Sequence, residues 1–168
     1  MTALGNILAG GRIVASAVQS VAPDAVVKGA DQPVTSSTAL QNDDALYVPL
    51  AANTQWIFIA MVEYTGDATG SGGILFTFTT PSGSTLTWSQ LYMGSSVSTP
   101  SMSGTGSGSG QTRSAETNGS AQVPMWIMGS VTVGATAGNL QFEWAQNASD
   151  TTATVVKAGS FVAAWQVG

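Results

Sequence analysis

The chain has 168 residues, of which 43% are hydrophobic, and these numbers suit one domain with a substantial core. Only 8% of its residues are charged, against about 25% in an ordinary soluble domain, and the net charge is −5. Cysteine and histidine are absent, which excludes a disulfide framework and removes the commonest general base and metal ligand. The basic residues are too scattered to neutralise a phosphate backbone, so we expect no nucleic-acid partner; they are Arg12, Lys28, Arg113 and Lys157.

Residues 1–24 are predicted to form a separate N-terminal arm. Glycines at positions 5, 10 and 11 break any long helix, and the segment lacks the basic start of a secretory signal. No apolar stretch of the chain approaches the roughly 20 residues of a membrane span, so we expect no membrane partner. The arm is either a frayed tail or a segment that docks on a neighbour. Its apolar side chains favour docking, and the predicted docking residues are Ile7, Leu8, Ile13, Val14 and Val18.

Residues 25–168 are predicted to form one all-β domain, an antiparallel, jelly-roll-like β-sandwich. Short segments rich in Val, Ile, Thr, Phe and Trp recur along it, separated by turn chemistry such as Pro81-Ser82-Gly83. Residues 94–121, which are rich in Gly, Ser and Thr, are predicted to be a flexible excursion between two β halves. The predicted strands are 25–28, 34–40, 45–50, 54–64, 73–80, 85–93, 123–133, 139–146, 152–157 and 160–167.

Most predicted strands show the alternation of a half-buried strand, with one apolar and one polar face. In the last strand, Phe161, Ala163 and Trp165 share a face. The five tryptophans fall in predicted strands, mostly at inward positions, so core packing is favoured over a sugar-stacking platform; they are Trp56, Trp88, Trp126, Trp144 and Trp165.

The segment 54–64 differs, because both of its faces are apolar. Residues 56, 58, 60, 62 and 64 share one face, whereas Ile57, Ile59 and Met61 share the other. Either this strand is central and covered on both sides within the chain, or its second face meets another subunit. Residues 123–133 show the same pattern. We predict that Ile57, Ile59 and Met61 belong to a subunit interface.

The candidate catalytic and metal-binding motifs are all better explained as structural features. The Gly104–Gly110 run lacks the Lys-Ser/Thr of a phosphate loop. Asp43 and Asp44, with Asp31 and Asn42 nearby in sequence, suit either a turn or a weak calcium site. Glu63 and Glu143 have the residue type, but not a supporting pattern, of a glycosidase pair. We therefore predict no catalytic, cofactor-binding or metal-binding residues, no cofactor, and no enzymatic activity.

Several segments resemble a β-sandwich domain of virion proteins from tailed phages of actinobacteria. The resemblance starts with Lys28-Gly-Ala-Asp-Gln-Pro-Val34, Leu40-Gln-Asn-Asp-Asp-Ala-Leu46 and Val48-Pro-Leu-Ala-Ala-Asn53. It continues with Gly134-Ala-Thr-Ala-Gly-Asn-Leu140, Gln141-Phe-Glu-Trp-Ala-Gln-Asn147 and Ala158-Gly-Ser160, and it covers residues 28–167.

That resemblance implies a homotrimer that serves as a capsid decoration protein or as part of a tail or fibre. The chain has no long repeats and no coiled-coil heptads ahead of its β domain, which favours decoration. The implied partners are further copies of the chain and the major capsid protein, and the implied location is the outer capsid surface of the virion. The alternatives are a tail fibre or minor tail protein tip domain, and a secreted carbohydrate-binding module.

Overall fold

A computed structural model describes residues 22–67, 73–93, 100–117 and 121–168, and it is all β over these ranges. The arm residues predicted to dock, Ile7 to Val18, lie outside the described residues. The strands of the described part are β1 Asp24–Val27, β2 Gln32–Val34, β3 Gln41–Leu50, β4 Gln55–Thr65, β5 Ile74–Thr79, β6 Thr85–Met93, β7 Pro100–Ser107, β8 Arg113–Ala115, β9 Val123–Thr132, β10 Gly138–Gln146, β11 Thr154–Val156 and β12 Phe161–Gln166.

The strands form two antiparallel sheets that pack face to face. The eight-stranded sheet has the order β1-β12-β4-β9-β6-β7, with β11 paired to both β4 and β2 at one side. The four-stranded sheet has the order β3-β10-β5-β8. Most of the connections between strands cross from one sheet to the other, so strands that follow one another in sequence usually lie in different sheets. The predicted antiparallel sandwich is confirmed, whereas its jelly-roll-like character stays a prediction.

The core lies between the sheets and is built from the inward-facing side chains, every second residue, of strands in both sheets. Aromatic rings bridge it: the rings of Phe58 and Phe78 lie 5.1 Å apart and those of Phe76 and Trp88 5.7 Å, while Phe142 packs beside Phe78 in the same sheet at 5.3 Å. These spacings are those of tilted aromatic pairs, which contribute beyond the area that they bury. The core therefore fixes the relative position of the two sheets.

Strand β4 is the middle of the eight-stranded sheet, paired with β12 on one side and with β9 on the other. Gly129 of β9 lies opposite Phe58 of β4. A Cβ atom at Gly129 would be 2.7 Å from the Phe58 ring and 2.4 Å from the carbonyl oxygen of Thr87. Glycine is therefore required here because the ring of β4 lies directly over the backbone of β9.

Two sequence-based strand predictions were wrong. The segment 34–40 is not a strand beyond Val34: Ser36 has a φ of 53°, and its amide donates to the carbonyl oxygen of Asp150 instead of continuing the ladder. The excursion 94–121 contains β7 and β8. β7 pairs with the edge of β6, and this pairing uses backbone groups that Gly and Ser supply as well as any residue.

Candidate interaction face

The outer face of the four-stranded sheet is polar. On it, the hydroxyl of Thr79 donates a 3.0 Å hydrogen bond to the carboxylate of Glu143. The side-chain amide of Gln141 donates to the carbonyl oxygens of Asp43 and Phe142 at 3.0 and 2.8 Å. This is the ordinary arrangement of an antiparallel sheet with one face on the core and one in water.

The outer face of the eight-stranded sheet carries an apolar surface that is centred on β12, β4 and β9 and reaches β1 and β6 through one large side chain each. Ile57 is 47% exposed, Met128 53% and Val27 65%, so large apolar side chains of three strands face outward here. We call this surface the outer apolar face. Its members are Val27 of β1, Ile57, Ile59 and Met61 of β4, Leu91 of β6, Trp126 and Met128 of β9, and Phe161, Ala163 and Trp165 of β12.

The strand register places the outer apolar face in continuous rows. Phe161 pairs with Met61, Met61 with Trp126, and Trp126 with Leu91, so one row crosses four strands; Val27 extends it onto β1 through its pairing with Phe161. The rings of Trp126 and Phe161 lie 6.1 Å apart at an interplanar angle of 79°, an edge-to-face contact that spans Met61. The next row runs through Ala163, Ile59 and Met128.

Charge is confined to one end of the outer apolar face. Among the outward side chains of β1, β4, β6, β9 and β12, Glu63 alone is ionisable, and its carboxylate accepts a hydrogen bond from the side-chain amide of Gln122. Few ions therefore have to lose water when this surface is covered.

A buried ion pair joins the two sheets at their edge. Lys28 follows β1, and its side chain is 1% exposed; its ammonium donates to the carboxylate of Asp43 in β3 at 2.9 Å and to the side-chain oxygen of Gln32 at 2.8 Å. It also pairs with Asp44, whose side chain is 65% exposed. The ammonium is therefore saturated with acceptors, as a buried charge requires.

The carboxylate of Asp43 is saturated as well. Besides Lys28, it accepts hydrogen bonds from the backbone amides of Ala45 and Leu46, both at 3.0 Å, and from the indole of Trp144 at 3.2 Å. The pairing of β3 with β10 shifts register at this point. The turn predicted for Asp43 is therefore a bulge closed by its own side chain, and the cation beside it is a lysine instead of calcium.

The other predicted acidic groups do not converge. Glu63 and Glu143 lie on opposite outer faces of the sandwich, so they cannot act on one bond. Asp31 accepts from the Lys157 ammonium and from the amide of Ala158, and these two contacts hold its pKa below the usual range. Within the described residues no three acidic side chains are grouped as metal ligands, and no helix is long and apolar enough to cross a membrane.

The tryptophan prediction was right for three residues and wrong for two. Trp56, Trp88 and Trp144 are buried in the core, whereas Trp126 and Trp165 lie on the outer apolar face. The sequence signal for Trp165 is that the last strand has two apolar faces, since Val162 and Ala164 lie opposite Phe161 and Trp165. The sequence signal for Trp126 is the two-faced apolar pattern of residues 123–133. Ile57, Ile59 and Met61 do lie together on the second face of β4, as the alternation predicted.

A cleft of about 430 Å³ opens between the edge strands β1 and β3. It is lined by Asp24, Asp44 and Tyr47, which is 43% exposed, and by apolar residues of β1 and β3. An exposed ring beside carboxylates can stack on and hydrogen-bond a polar ligand.

No protein-family model and no curated protein matches the chain. Among solved structures, the chain is similar to a structure of the infectious bursal disease virus Gx strain, with 9% identity and a TM-score of 0.20 over 86% of this chain and 40% of that one. It is also similar to the infectious bursal disease virus VP2 subviral particle, with 11% identity and a TM-score of 0.18 over 87% of this chain and 37% of that one. The chain thus spans about two fifths of those proteins, and TM-scores of this size do not establish a common fold.

Proposed function

We propose that the protein is a structural component of a virion, a homotrimeric decoration protein on the outer capsid surface of a tailed phage. The observation that carries this proposal is the contrast between the two outer faces of the sandwich. One is mostly polar and hydrogen-bonded within itself, and the other presents an apolar surface that is continuous over β12, β4 and β9. A sheet that is apolar on both sides suits a module that works inside an assembly.

The resemblance of residues 28–53 and 134–160 to virion β-sandwich domains supports the same role. So does the low charge of the chain, since a neutral polar surface is easily desolvated where protein packs against protein. Three of the described acidic side chains pair with lysine, and Glu63 and Glu143 lie on opposite faces, an arrangement that suits a structural role better than catalysis.

The arm is proposed as the segment that attaches to the major capsid protein. Burying one of its Ile, Leu or Val side chains is worth roughly 1.5–3 kcal/mol. Ordering the arm costs on the order of 1–2 kcal/mol per residue, so one arm binds weakly. Three arms on one trimer act through effective concentration and hold the protein in place.

Deletion of residues 2–21 tests this proposal and leaves β1, which begins at Asp24, intact. The truncated protein is expected to fold and to keep the oligomeric state of the full-length protein, but to lose its occupancy on capsids that lack the native protein. A matched control replaces Ile7, Leu8, Ile13, Val14 and Val18 with serine in the full-length chain, and it should fail equally. Full occupancy by the truncated protein would place the attachment elsewhere.

A second candidate function is saccharide binding, and the cleft between β1 and β3 favours it. Its exposed Tyr47 ring suits stacking on a sugar, and Asp24 and Asp44 suit hydrogen bonds to hydroxyl groups. A screen of immobilised glycans with the wild type and with Tyr47→Ala tests this role. Binding that is lost in the variant supports it, and a wild type that binds no glycan contradicts it.

A further inference from the structure

We infer that the outer apolar face is covered by a second copy of this chain. The inference rests on the proposed assembly role and names the partner of its apolar surface. Three properties of the face carry it: its area, its charge and its composition. None of the described elements packs over it, since Val27, Ile57 and Met128 keep about half or more of their surface exposed.

The area of the face matches what self-association needs. The row through Phe161, Met61 and Trp126 crosses five strands at about 4.8 Å spacing, and β4 and β12 each carry three outward apolar side chains at about 6.8 Å spacing, so the face measures roughly 24 by 20 Å at its widest. Faces of neighbouring copies that meet around the axis of the proposed trimer would together bury on the order of 1,000 Å², which is about the smallest area of a specific protein interface. A much smaller partner would leave part of the apolar surface in water.

The charge of the face favours a copy of itself over a partner of different charge. The described strands of the face carry one ionisable outward side chain, Glu63, and it lies at the end of β4. Two copies can therefore approach with their central rows in contact without bringing like charges together. The acidic residues that give the chain its net charge of −5 lie mostly elsewhere, for example Glu143 on the opposite sheet.

The centre of the face is rich in aromatic and Met side chains, as the buried cores of protein interfaces are. Trp126 and Phe161 form an edge-to-face pair, so their rings already contact each other within one copy. A contact made before association reduces the entropy that the side chains lose on binding.

Light scattering on the full-length protein tests the inference. The wild type is expected to have a multiple of the 17.0 kDa mass of one chain at micromolar concentration. The double variant Ile57→Lys and Met128→Lys, which places charge on two exposed positions of the face, should fall to 17.0 kDa. The matched control, Tyr47→Lys with Asn139→Lys, adds the same charge to exposed positions of the other sheet and should keep the wild-type mass.

A second measurement uses the absence of cysteine from the chain. Met128→Cys should cross-link between copies through a short bis-maleimide, whereas Asn139→Cys should not. An oligomer that survives the Lys double variant and does not cross-link at Met128 would overturn the inference and leave the virion role standing. Loss of the oligomer on deleting residues 2–21 would instead make the arm the occupant of the face. A monomeric wild type would overturn the inference together with the trimer.

Discussion

Replacing Asp43 with asparagine removes one charge from the buried ion pair without changing its shape. The carboxylate accepts four hydrogen bonds, from Lys28, Trp144 and two backbone amides. An amide in its place turns one acceptor into a donor, so in either orientation a donor meets a donor. It also leaves the buried Lys28 ammonium with one carboxylate, that of the exposed Asp44.

Breaking a buried pair by removing one partner costs about 3–5 kcal/mol, and the remaining contacts of Lys28 place Asp43→Asn near 3 kcal/mol. For a domain of this size, that corresponds to a fall in melting temperature of roughly 6–12 °C. Lys28→Met should cost less, about 1–2 kcal/mol, because Asp43 keeps three N–H donors. Asp44→Asn should cost less than about 1 kcal/mol, because its side chain is 65% exposed.

Thermal unfolding followed by circular dichroism, at one fixed protein concentration, measures all three variants. The double variant Lys28→Met with Asp43→Asn should recover part of the loss of Asp43→Asn, since it no longer buries an uncompensated ammonium. The reasoning is refuted if Asp43→Asn melts no lower than Asp44→Asn.

Three further predictions concern the body of the sandwich. Gly129→Ala should destabilise it by about 1–3 kcal/mol in urea unfolding, because the added Cβ would lie 2.4 Å from a carbonyl oxygen of β6. Gly29→Ala, with no atom within 4 Å, should stay within about 0.5 kcal/mol, and equal losses would contradict the packing argument. Burial raises the pKa of Tyr64 well above its ordinary 10.0. Above about pH 10 the phenol ionises in the unfolded chain but not in the folded one, so the free energy of unfolding should fall as pH rises. Tyr64→Phe should flatten that decline in urea titrations. The Lys157 ammonium lowers the pKa of Asp31 from 3.8, so this pair contributes to stability above that pH, and the contribution is lost as pH falls through the lowered pKa. In Asp31→Asn the melting temperature should therefore fall less steeply as the pH is lowered. A melting temperature with unchanged pH dependence would show that the pair contributes nothing.

The alternation of side chains predicted the core strands because it is local information. Leu140, Phe142 and Trp144 share a face in the sequence and are buried together in the structure. Alternation could not predict β7, whose Gly and Ser residues pair through their backbone with an edge that lies elsewhere in the fold. It also could not predict the burial of Lys28, since the partners that make this possible are 15 and 16 residues away in the chain.

Alternation also cannot decide which of two apolar faces lies inward. In β12 the inward residues are the small ones: Val162 pairs with Ala60, and Ala164 pairs with Phe58. The rings contributed by β4 and β5 already fill the interior at this level, so the neighbouring strand has room only for small side chains. Phe161 and Trp165 consequently lie outside, and the same crowding produces the outer apolar face.

The junction between the arm and the body has a mechanical consequence. Tension applied through residues 1–21 enters the domain at Asp24, which pairs with Ala164, and runs along the axis of β1. The hydrogen bonds between antiparallel strands are perpendicular to that axis, so the load is shared by the whole β1–β12 ladder in shear instead of opening it pair by pair. At the end of the ladder, Lys28 forms backbone hydrogen bonds with Ser160 and Gly159, just before β12, and its buried ammonium binds Asp43 of β3. Under the proposed attachment role, a load on the arm would therefore be resisted by the whole ladder before the sandwich opens.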